Sequence, residues 1–289
     1  MTPHDFEYLR RLLKERSGLS LSAEKDYLLE SRLLPLARRQ GMASLAELVM
    51  RLRQPGSTAL AIAVTEAMTT NETFFFRDRI PYDHLRDTII PALAAARSRE
   101  KRIRIWCTAA ASGQEPYSIA MMLKAFGPQL HGFRVDILAT DLSAEVIDRA
   151  KAGVYSQFEV QRGLPINLLV KYFSKSGDRW EIAPELRGMV QFRTLNLLND
   201  FTPLGQFDIV FCRNVLIYFD QATKAGVLDR VARQMAGDGY LTLGAAETVV
   251  GLTDCFMPVP DRRGLYMPTA AARRAPSFAG NVIRFAAKA

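Results

Sequence analysis

Polar residues that could hold a nucleoside cofactor follow or end four short apolar runs in the chain. Glu115 follows IRIWCTA, Asp141 ends RVDILATD, Asn196 lies near the end of VQFRTLNL, and Arg213 and Asn214 end FDIVFCRN. Ligands of open parallel α/β sheets bind at the carboxyl ends of the strands, which is where these residues are expected. One such residue means little, but a ring of them indicates a nucleoside pocket.

The two acids of this ring each have a simpler interpretation. Glu115 could face a cationic group such as an ammonium or sulfonium, or it could be a favourable charge at a helix N-terminus, and its spacing does not decide between them. Asp141 could cap the next helix, but Ser143 is better placed for that, so we favour hydrogen bonds from Asp141 to ribose hydroxyls. The loop TAAASGQEPYS lacks G-x-G-x-x-G, which disfavours a nicotinamide dehydrogenase.

The segment TTNETFFFRD, residues 69–78, is a second candidate for chemistry. Its three consecutive phenylalanines cannot all face one way, so part of the run is expected to pack between domains. Arg77 lies beside them, and a cation near aromatic faces can bind a carboxylate in a partly dry site. An interdomain salt bridge would also explain Arg77, and the pattern alone favours that simpler interpretation.

The elements that must position these residues fall into two kinds. The first part reads as a small helical bundle, in which Ser44 and Glu47 form a predicted capping box. Later, short apolar runs alternate with helices, which is typical of a parallel sheet in an α/β fold. The predicted parts are an all-helical domain over 1–70, a linker and the start of the second domain over 71–99, an α/β domain over 100–268 with an inserted β-containing subdomain over 153–189, and a flexible tail over 269–289.

Composition limits the function classes. The net charge of +8 favours an acidic partner, although Arg273, Arg274, Arg284 and Lys288 in the last twenty residues carry half of that excess (4 of 8). Three cysteines without close pairs and three scattered histidines indicate neither a disulfide framework nor a metal site. Burial is the better interpretation for Cys107 and Cys212. The sequence has neither a secretory signal nor an apolar run of roughly 18 residues, so we expect a cytoplasmic protein without membrane insertion.

Five motifs, in this order and spacing, resemble those of the CheR chemoreceptor methyltransferases: TTNETFFFRD, ASGQEPYSIA, ATDLSAEVI, LNLL and FDIVFCRNVLIYF. The likeness extends to about residue 268, and its most specific parts are the T-N-x-T-x-F-F-R type and C-R-N-V-x-I-Y-F segments. It implies a Rossmann-like S-adenosylmethionine-dependent methyltransferase sheet, an N-terminal helical bundle domain and a small inserted β-subdomain. The α/β domain would then be the methyltransferase domain.

The resemblance also implies roles for individual residues. The positions that match cofactor contacts are Asn71, Thr73, Arg77, Glu115, Asp141, Asn196, Leu197, Arg213 and Asn214. Tyr218 is implied to lie beside the reactive methyl with Arg77 close by, so Arg77 and Tyr218 are the predicted catalytic residues. The implied reaction methylates glutamates on the cytoplasmic helical bundle of a chemoreceptor and leaves S-adenosylhomocysteine. Arg32, Arg38 and Arg39 would face that acidic bundle, with solvated surface charge as the alternative.

The chain departs from the family in two places. Gly244-Ala245-Ala246-Glu247 stands where many members read G-H-S-E, which could alter the polarity of the pocket. The hairpin SKSGDRWE is short and has one glycine, whereas members that dock on a receptor's C-terminal pentapeptide carry a longer, glycine-richer loop. We therefore expect a pentapeptide-independent enzyme.

Two other functions remain as alternatives. A methyltransferase acting on nucleic acid would suit the basic pI of 9.5, but the N-P-P-Y type motif of amino-methylating enzymes is missing. A non-catalytic S-adenosylmethionine-binding signalling module is supported by the altered G-A-A-E segment and opposed by retention of Arg77, Arg213, Asn214 and Tyr218. We expect a monomer that binds a chemoreceptor and no nucleic acid.

Overall fold

The computed structural model describes residues 1–273, and these form two compact units. One unit comprises Met1–Thr70 and the segment Tyr218–Thr223; the other comprises Asn71–Ile217 and the described residues from Lys224 onward. Within this described part, every helix is too short or too polar to span a bilayer. The predicted tail lies outside the described residues from position 274 on.

The first unit is helical because its leucines recur at helical spacing and meet in one apolar core. Its helices are α1 (Pro3–Ser17), α2 (Asp26–Arg39), α3 (Leu45–Leu52) and α4 (Thr58–Met68). Leu9, Leu13, Leu29 and Leu33 are fully buried in that core. Helix α1 is capped at its C-terminus by Gly18, whose φ of 78° is left-handed and favours glycine. The segment Tyr218–Thr223 belongs to this unit.

The predicted capping box at Ser44 is only half formed. The Ser44 hydroxyl accepts a hydrogen bond from the Glu47 N–H at 3.2 Å, as predicted. The Glu47 carboxylate, however, accepts from the Ala43 N–H at 2.9 Å, one residue before the expected donor. The prediction was therefore wrong about the reciprocal bond, because the acid reaches past the cap residue.

The second unit is built on a mixed sheet. In the described residues its strand order is β6-β2-β1-β7-β8-β10-β9. The first five of these are parallel, and β10 is antiparallel to both β8 and β9. The strands of this sheet are β1 (Arg102–Cys107), β2 (Arg134–Asp141), β6 (Val190–Thr194), β7 (Phe207–Cys212), β8 (Met235–Leu243), β9 (Phe256–Pro258) and β10 (Leu265–Pro268). The chain runs outward from β1 in one direction and from β7 in the other, so the crevice at their carboxyl ends is the expected ligand site.

Helices and a small second sheet complete this unit. The helices are α5 (Ile80–His84), α6 (Ile90–Ala96), α7 (Gln114–Ala125), α8 (Ala144–Ala152), α9 (Gln157–Gln161), α10 (Ile166–Tyr172), α11 (Pro184–Arg187) and α12 (Gln221–Arg233), whose first turn is counted with the first unit. The small sheet is antiparallel with the order β3-β5-β4 and is made of β3 (Val154–Ser156), β4 (Phe173–Ser176) and β5 (Arg179–Ile182). The predicted fold class, including the inserted β-subdomain, is confirmed.

The buried residues of the second unit bear on two further predictions. Cys107 and Cys212 are fully buried in β1 and β7, as their apolar runs predicted. Phe75 is also fully buried, and its ring makes edge contacts with Tyr155 at 5.1 Å and Phe173 at 5.6 Å between centroids. The buried part of the phenylalanine run therefore packs within the second unit, against the inserted subdomain, and packing of the run between domains stays a prediction.

Candidate active site

A buried ion pair connects the start of α7 to the end of β7. Arg213 Nη1 donates to Glu115 Oε2 at 2.7 Å, and the two side chains are only 1% and 11% exposed. Burial raises the pKa of the Glu115 carboxyl, while the charge of Arg213 opposes that rise. Both residues were predicted to contact the cofactor, and the structure shows that they form an ion pair with each other. Glu115 therefore already has a cationic partner within the protein.

The same guanidinium fixes the loop that carries Arg77. Arg213 Nη2 donates to the Arg77 carbonyl oxygen and to Asp78 Oδ2, both at 2.8 Å. The loop is strained, because Phe76, Asp78 and Arg79 have φ values of 53°, 69° and 47°. Left-handed conformations cost a non-glycine residue roughly 1–3 kcal/mol and persist only where surrounding contacts enforce them. Arg213 therefore holds Arg77 in place through the backbone.

The Arg77 side chain is half-buried and keeps donors available. Its Nη1 donates to the Glu72 carbonyl oxygen at 2.7 Å, and its guanidinium carbon lies 5.5 Å from the centre of the Phe74 ring. Within its own unit, the described residues give Arg77 no ion pair. Since a guanidinium has five N–H donors, several remain for an anionic ligand.

Asp141 is buried at the end of β2 and orders the neighbouring loops. Its Oδ2 accepts the Ala111 N–H at 2.9 Å, and its Oδ1 accepts the Ser143 N–H at 3.1 Å. The Ser143 hydroxyl caps α8 by accepting the Val146 N–H at 3.5 Å, as the sequence predicted. Asp141 thus lies at the crevice with a fixed orientation, and its bonds to ribose stay a prediction.

Asn196 and Leu197 follow β6 and are both buried. Asn196 Oδ1 accepts the Leu198 N–H at 3.0 Å. Arg230 on α12 donates to the Leu197 carbonyl oxygen at 2.7 Å, which fixes the loop after the strand. The structure therefore places both residues at the carboxyl edge of the sheet, where the sequence placed them.

A buried carboxylate organises the loop after β7. Within the described chain, Glu247 accepts the N–H groups of four successive residues, Asn214–Ile217, and of Gly244, at distances between 2.7 and 3.3 Å. Asn214 needs this support because its φ of 56° is left-handed. Convergent backbone N–H groups of this kind form an anion-binding nest. Glu247 thereby fixes the backbone of Asn214.

Gly244 is required at this point because there is no room for a side chain. A Cβ atom on Gly244 would lie 2.7 Å from Glu247 Oε2 and 2.8 Å from Asn214 Nδ2. Real Cβ atoms do not approach heavy atoms this closely, so any other residue would displace the carboxylate or the amide. The Asn214 amide therefore packs directly against Gly244.

Other predicted residues are placed less directly. Asn71 and Thr73 lie at the start of the second unit and are half-buried. Tyr218 ends a short 3-10 turn, Leu216–Tyr218, and belongs to the segment grouped with the first unit, where its carbonyl oxygen accepts the Ser20 N–H at 2.9 Å. Its predicted position beside Arg77 stays a prediction.

Sequence reasoning missed two residues that order the site. Asp78 follows Arg77 in the motif TTNETFFFRD, and an acid next to a predicted ligand-binding arginine was a usable signal. Glu247 ends the G-A-A-E segment, but no local pattern indicates that its carboxylate bonds backbone groups about thirty residues earlier in the chain. The role of Glu247 therefore requires the tertiary structure.

Comparisons with known proteins match most of the chain to one family. The family model described as CheR methyltransferase, SAM binding domain, matches residues 71–265, and the one described as CheR methyltransferase, all-alpha domain, matches residues 4–69. Chemotaxis protein methyltransferase 1 of Pseudomonas aeruginosa is 43% identical over 265 residues, which cover 90% of this chain and 96% of that protein. A chemotaxis protein methyltransferase of Vibrio parahaemolyticus is 40% identical over 270 residues, which cover 92% and 97% of the two chains.

Proposed function

Since the chain belongs to the CheR methyltransferase family and its cofactor is S-adenosylmethionine, we propose that it methylates glutamate side chains of bacterial chemoreceptors. The products would be glutamyl methyl esters and S-adenosylhomocysteine. The observation that supports a carboxylate substrate is the Arg77 guanidinium, which has uncommitted donors on a loop that Arg213 pins in a strained conformation. A bound carboxylate would meet a cation whose position is already fixed.

The residues at the sheet edge fit the cofactor. Arg213 Nε is buried without a hydrogen-bond partner in the described part of the chain, so a polar group beside it would be stabilising. Gly113, with a φ of 95°, allows the left-handed turn that leads from the loop after β1 into α7. We propose that the residues holding the cofactor are Asn71, Thr73, Arg77, Glu115, Asp141, Asn196, Leu197, Arg213 and Asn214. When bound, S-adenosylmethionine supplies a methyl group activated by its sulfonium.

The protein's task in this reaction is alignment rather than proton transfer. A glutamate with a pKa near 4.3 is already ionised at neutral pH, so no general base is needed. Alignment can supply roughly 7–11 kcal/mol of barrier reduction at the upper end of measured effective molarities. Arg77 would orient the carboxylate, and its bond to the Glu72 carbonyl oxygen keeps it from moving fully onto the nucleophile. Tyr218 would shape the site beside the methyl.

One arginine of the predicted receptor-facing cluster is engaged within the helical unit. Arg32 donates to the carbonyl oxygens of Met68 and Thr69 at 2.7 and 3.1 Å, so it closes the end of α4 within the helical unit. Arg38 and Arg39 are exposed at the end of α2. We propose these two as contacts for an acidic receptor bundle. We further propose that the enzyme is a cytoplasmic monomer.

The short β4–β5 hairpin supports pentapeptide independence. Its strands, Phe173–Ser176 and Arg179–Ile182, are joined by the two residues Gly177 and Asp178, which leaves little loop for docking a peptide. The test is transfer of radiolabelled methyl to a purified receptor cytoplasmic fragment with and without its C-terminal pentapeptide. We expect label on both. Label on the intact fragment alone would refute pentapeptide independence, and label on neither, despite tight cofactor binding, would favour the non-catalytic module.

A further inference from the structure

A cavity of about 420 Å³ lies in the second unit beside the loop that Glu247 organises. Its volume is within the range of roughly 300–1,000 Å³ that small-molecule sites occupy. Its walls come from the start of α5, the end of β8 and the turn before β10. The lining residues used below are Asp78, Ile80, Ala245, Ala246, Glu247 and Arg263.

The cavity opens next to a residue of the proposed active site. Gly244 forms part of its wall, and a Cβ placed on Gly244 would lie 2.8 Å from Asn214 Nδ2. The lining includes Asp78, whose neighbour is Arg77, and omits the residues at the ends of β2 and β6. The cavity therefore borders the Arg77 and Asn214 side of the site, away from Asp141 and Asn196.

Two of the three charged side chains in the cavity lining are held by other groups of the protein, and the third, Arg263, is a cation. Asp78 is paired with Arg213 at 2.8 Å, and Glu247 accepts five backbone N–H groups. Arg263 is exposed and forms no ion pair among residues 1–273; its one side-chain hydrogen bond there is a long one, 3.5 Å, to the Ala245 carbonyl oxygen. An anionic group entering the cavity would therefore meet Arg263.

Most of the remaining wall is apolar and open to solvent, and Thr248 and Tyr266 add the only other polar side chains of the described lining. Ile80 is 51% exposed, and Ala245 and Ala246 are exposed with small side chains that leave the space unfilled. One cation beside apolar surface suits a protein segment rather than nucleic acid, which requires several cations to neutralise successive phosphates. Ligand sites are typically lined by apolar side chains, and a small number of polar groups fix the orientation of the ligand.

We propose that this cavity is a subsite for the substrate protein, which accepts an acidic and an apolar side chain that flank the methylated glutamate. Arg263 is the specificity-determining residue of this subsite, since it supplies the charge that the acidic side chain meets. The inference rests on the proposed function, because it assigns the cavity to the same protein substrate. Ala245 and Ala246 leave room for the apolar side chain.

The test compares Arg263→Ala with Arg262→Ala by steady-state kinetics on the full chain, with the receptor fragment and S-adenosylmethionine varied separately. Arg262 is the matched control because it is an exposed neighbour whose Nε donates to Thr88 Oγ1 at 3.2 Å, outside this cavity. Arg263→Ala should raise KM for the receptor fragment about five-fold, the upper range for an exposed charge pair, and leave kcat and cofactor affinity unchanged. Arg262→Ala should change KM for the receptor fragment by less than about two-fold.

A second variant tests the apolar part without changing charge. Ala246→Leu fills the space beside Ala245 and should raise KM for the receptor fragment while cofactor affinity, measured by calorimetry, stays the same. Equal KM values for Arg263→Ala, Arg262→Ala and the unchanged enzyme would overturn the subsite. A loss of cofactor affinity as large as the rise in KM would do so as well. These results differ from failure of the proposed function, in which the unchanged enzyme would transfer no methyl to the receptor.

Discussion

Replacement of Glu247 by glutamine tests whether its carboxylate orders the active-site loop. Oε1 accepts three N–H groups and Oε2 accepts two, so an amide loses at least two bonds and points its own N–H groups at backbone donors. Hydrogen bonds to charged groups contribute roughly 1.5–3 kcal/mol each, so the free energy of unfolding should fall by about 3 kcal/mol. For a domain of roughly 150–250 residues this lowers Tm by about 6–12 °C.

The functional readout of Glu247→Gln is cofactor affinity by calorimetry, which should weaken because Asn214 loses its support. Thr248→Ala is the matched control, since Thr248 is exposed and, among the described residues, its hydroxyl accepts a hydrogen bond from the Val250 N–H alone, at 3.1 Å. A Glu247→Gln protein that keeps the Tm and cofactor affinity of the control would refute the reasoning.

Chemical rescue separates the anion from the rest of the side chain. Glu247→Ala would leave the converging N–H groups without an acceptor, and the neighbouring cavity gives a small anion access to them. Acetate should therefore restore part of the cofactor affinity of Glu247→Ala, and acetamide should not. Equal effects of acetate and acetamide would show that shape, not charge, is what the site needs.

Four further predictions follow from single contacts. Arg77→Ala should lower kcat about 100-fold and weaken cofactor binding by calorimetry much less, because Arg77 is one of nine residues proposed to hold the cofactor; equal losses would show that it does not orient the carboxylate. Asp78→Asn should lower kcat about five-fold, because it weakens the charge-assisted bond from Arg213; an unchanged kcat would contradict this. Gly244→Ala should weaken cofactor affinity about ten-fold, since overpacking costs ~1–3 kcal/mol, and calorimetry checks it. A hydrogen bond from Lys14 lowers the pKa of Asp220 from 3.8 to about 2, so stability present above pH 3.8 is lost as pH falls toward 2. Acid unfolding of Asp220→Asn should lack that component, and identical pH dependence would contradict it.

Fold and strand ends were predictable because local patterns determine them. Alternating apolar runs and helices indicated the parallel sheet, and polar residues directly after the runs had to reach its carboxyl edge. Asp141 and Asn196 could therefore be placed from sequence alone.

The contacts between distant segments were not predictable in the same way. Glu115 and Arg213 are 98 positions apart, and only the parallel pairing of β1 with β7 brings them within 2.7 Å. The sequence left two roles open for Glu115, a favourable charge at a helix N-terminus or a contact for a cationic ligand group. The strand pairing gives it a third role, as the partner of Arg213 in an ion pair. The same Arg213 guanidinium also donates hydrogen bonds to the loop that contains Arg77.

The proposed function depends on transfer of the methyl group to a glutamate carboxylate. The most direct measurement is the stability of the transferred label in mild base, together with mapping of the labelled residues on the receptor fragment. We expect base-labile label on glutamates and none on a fragment in which those glutamates are replaced by glutamine. Base-stable label, or label that persists on the glutamine variant, would contradict it.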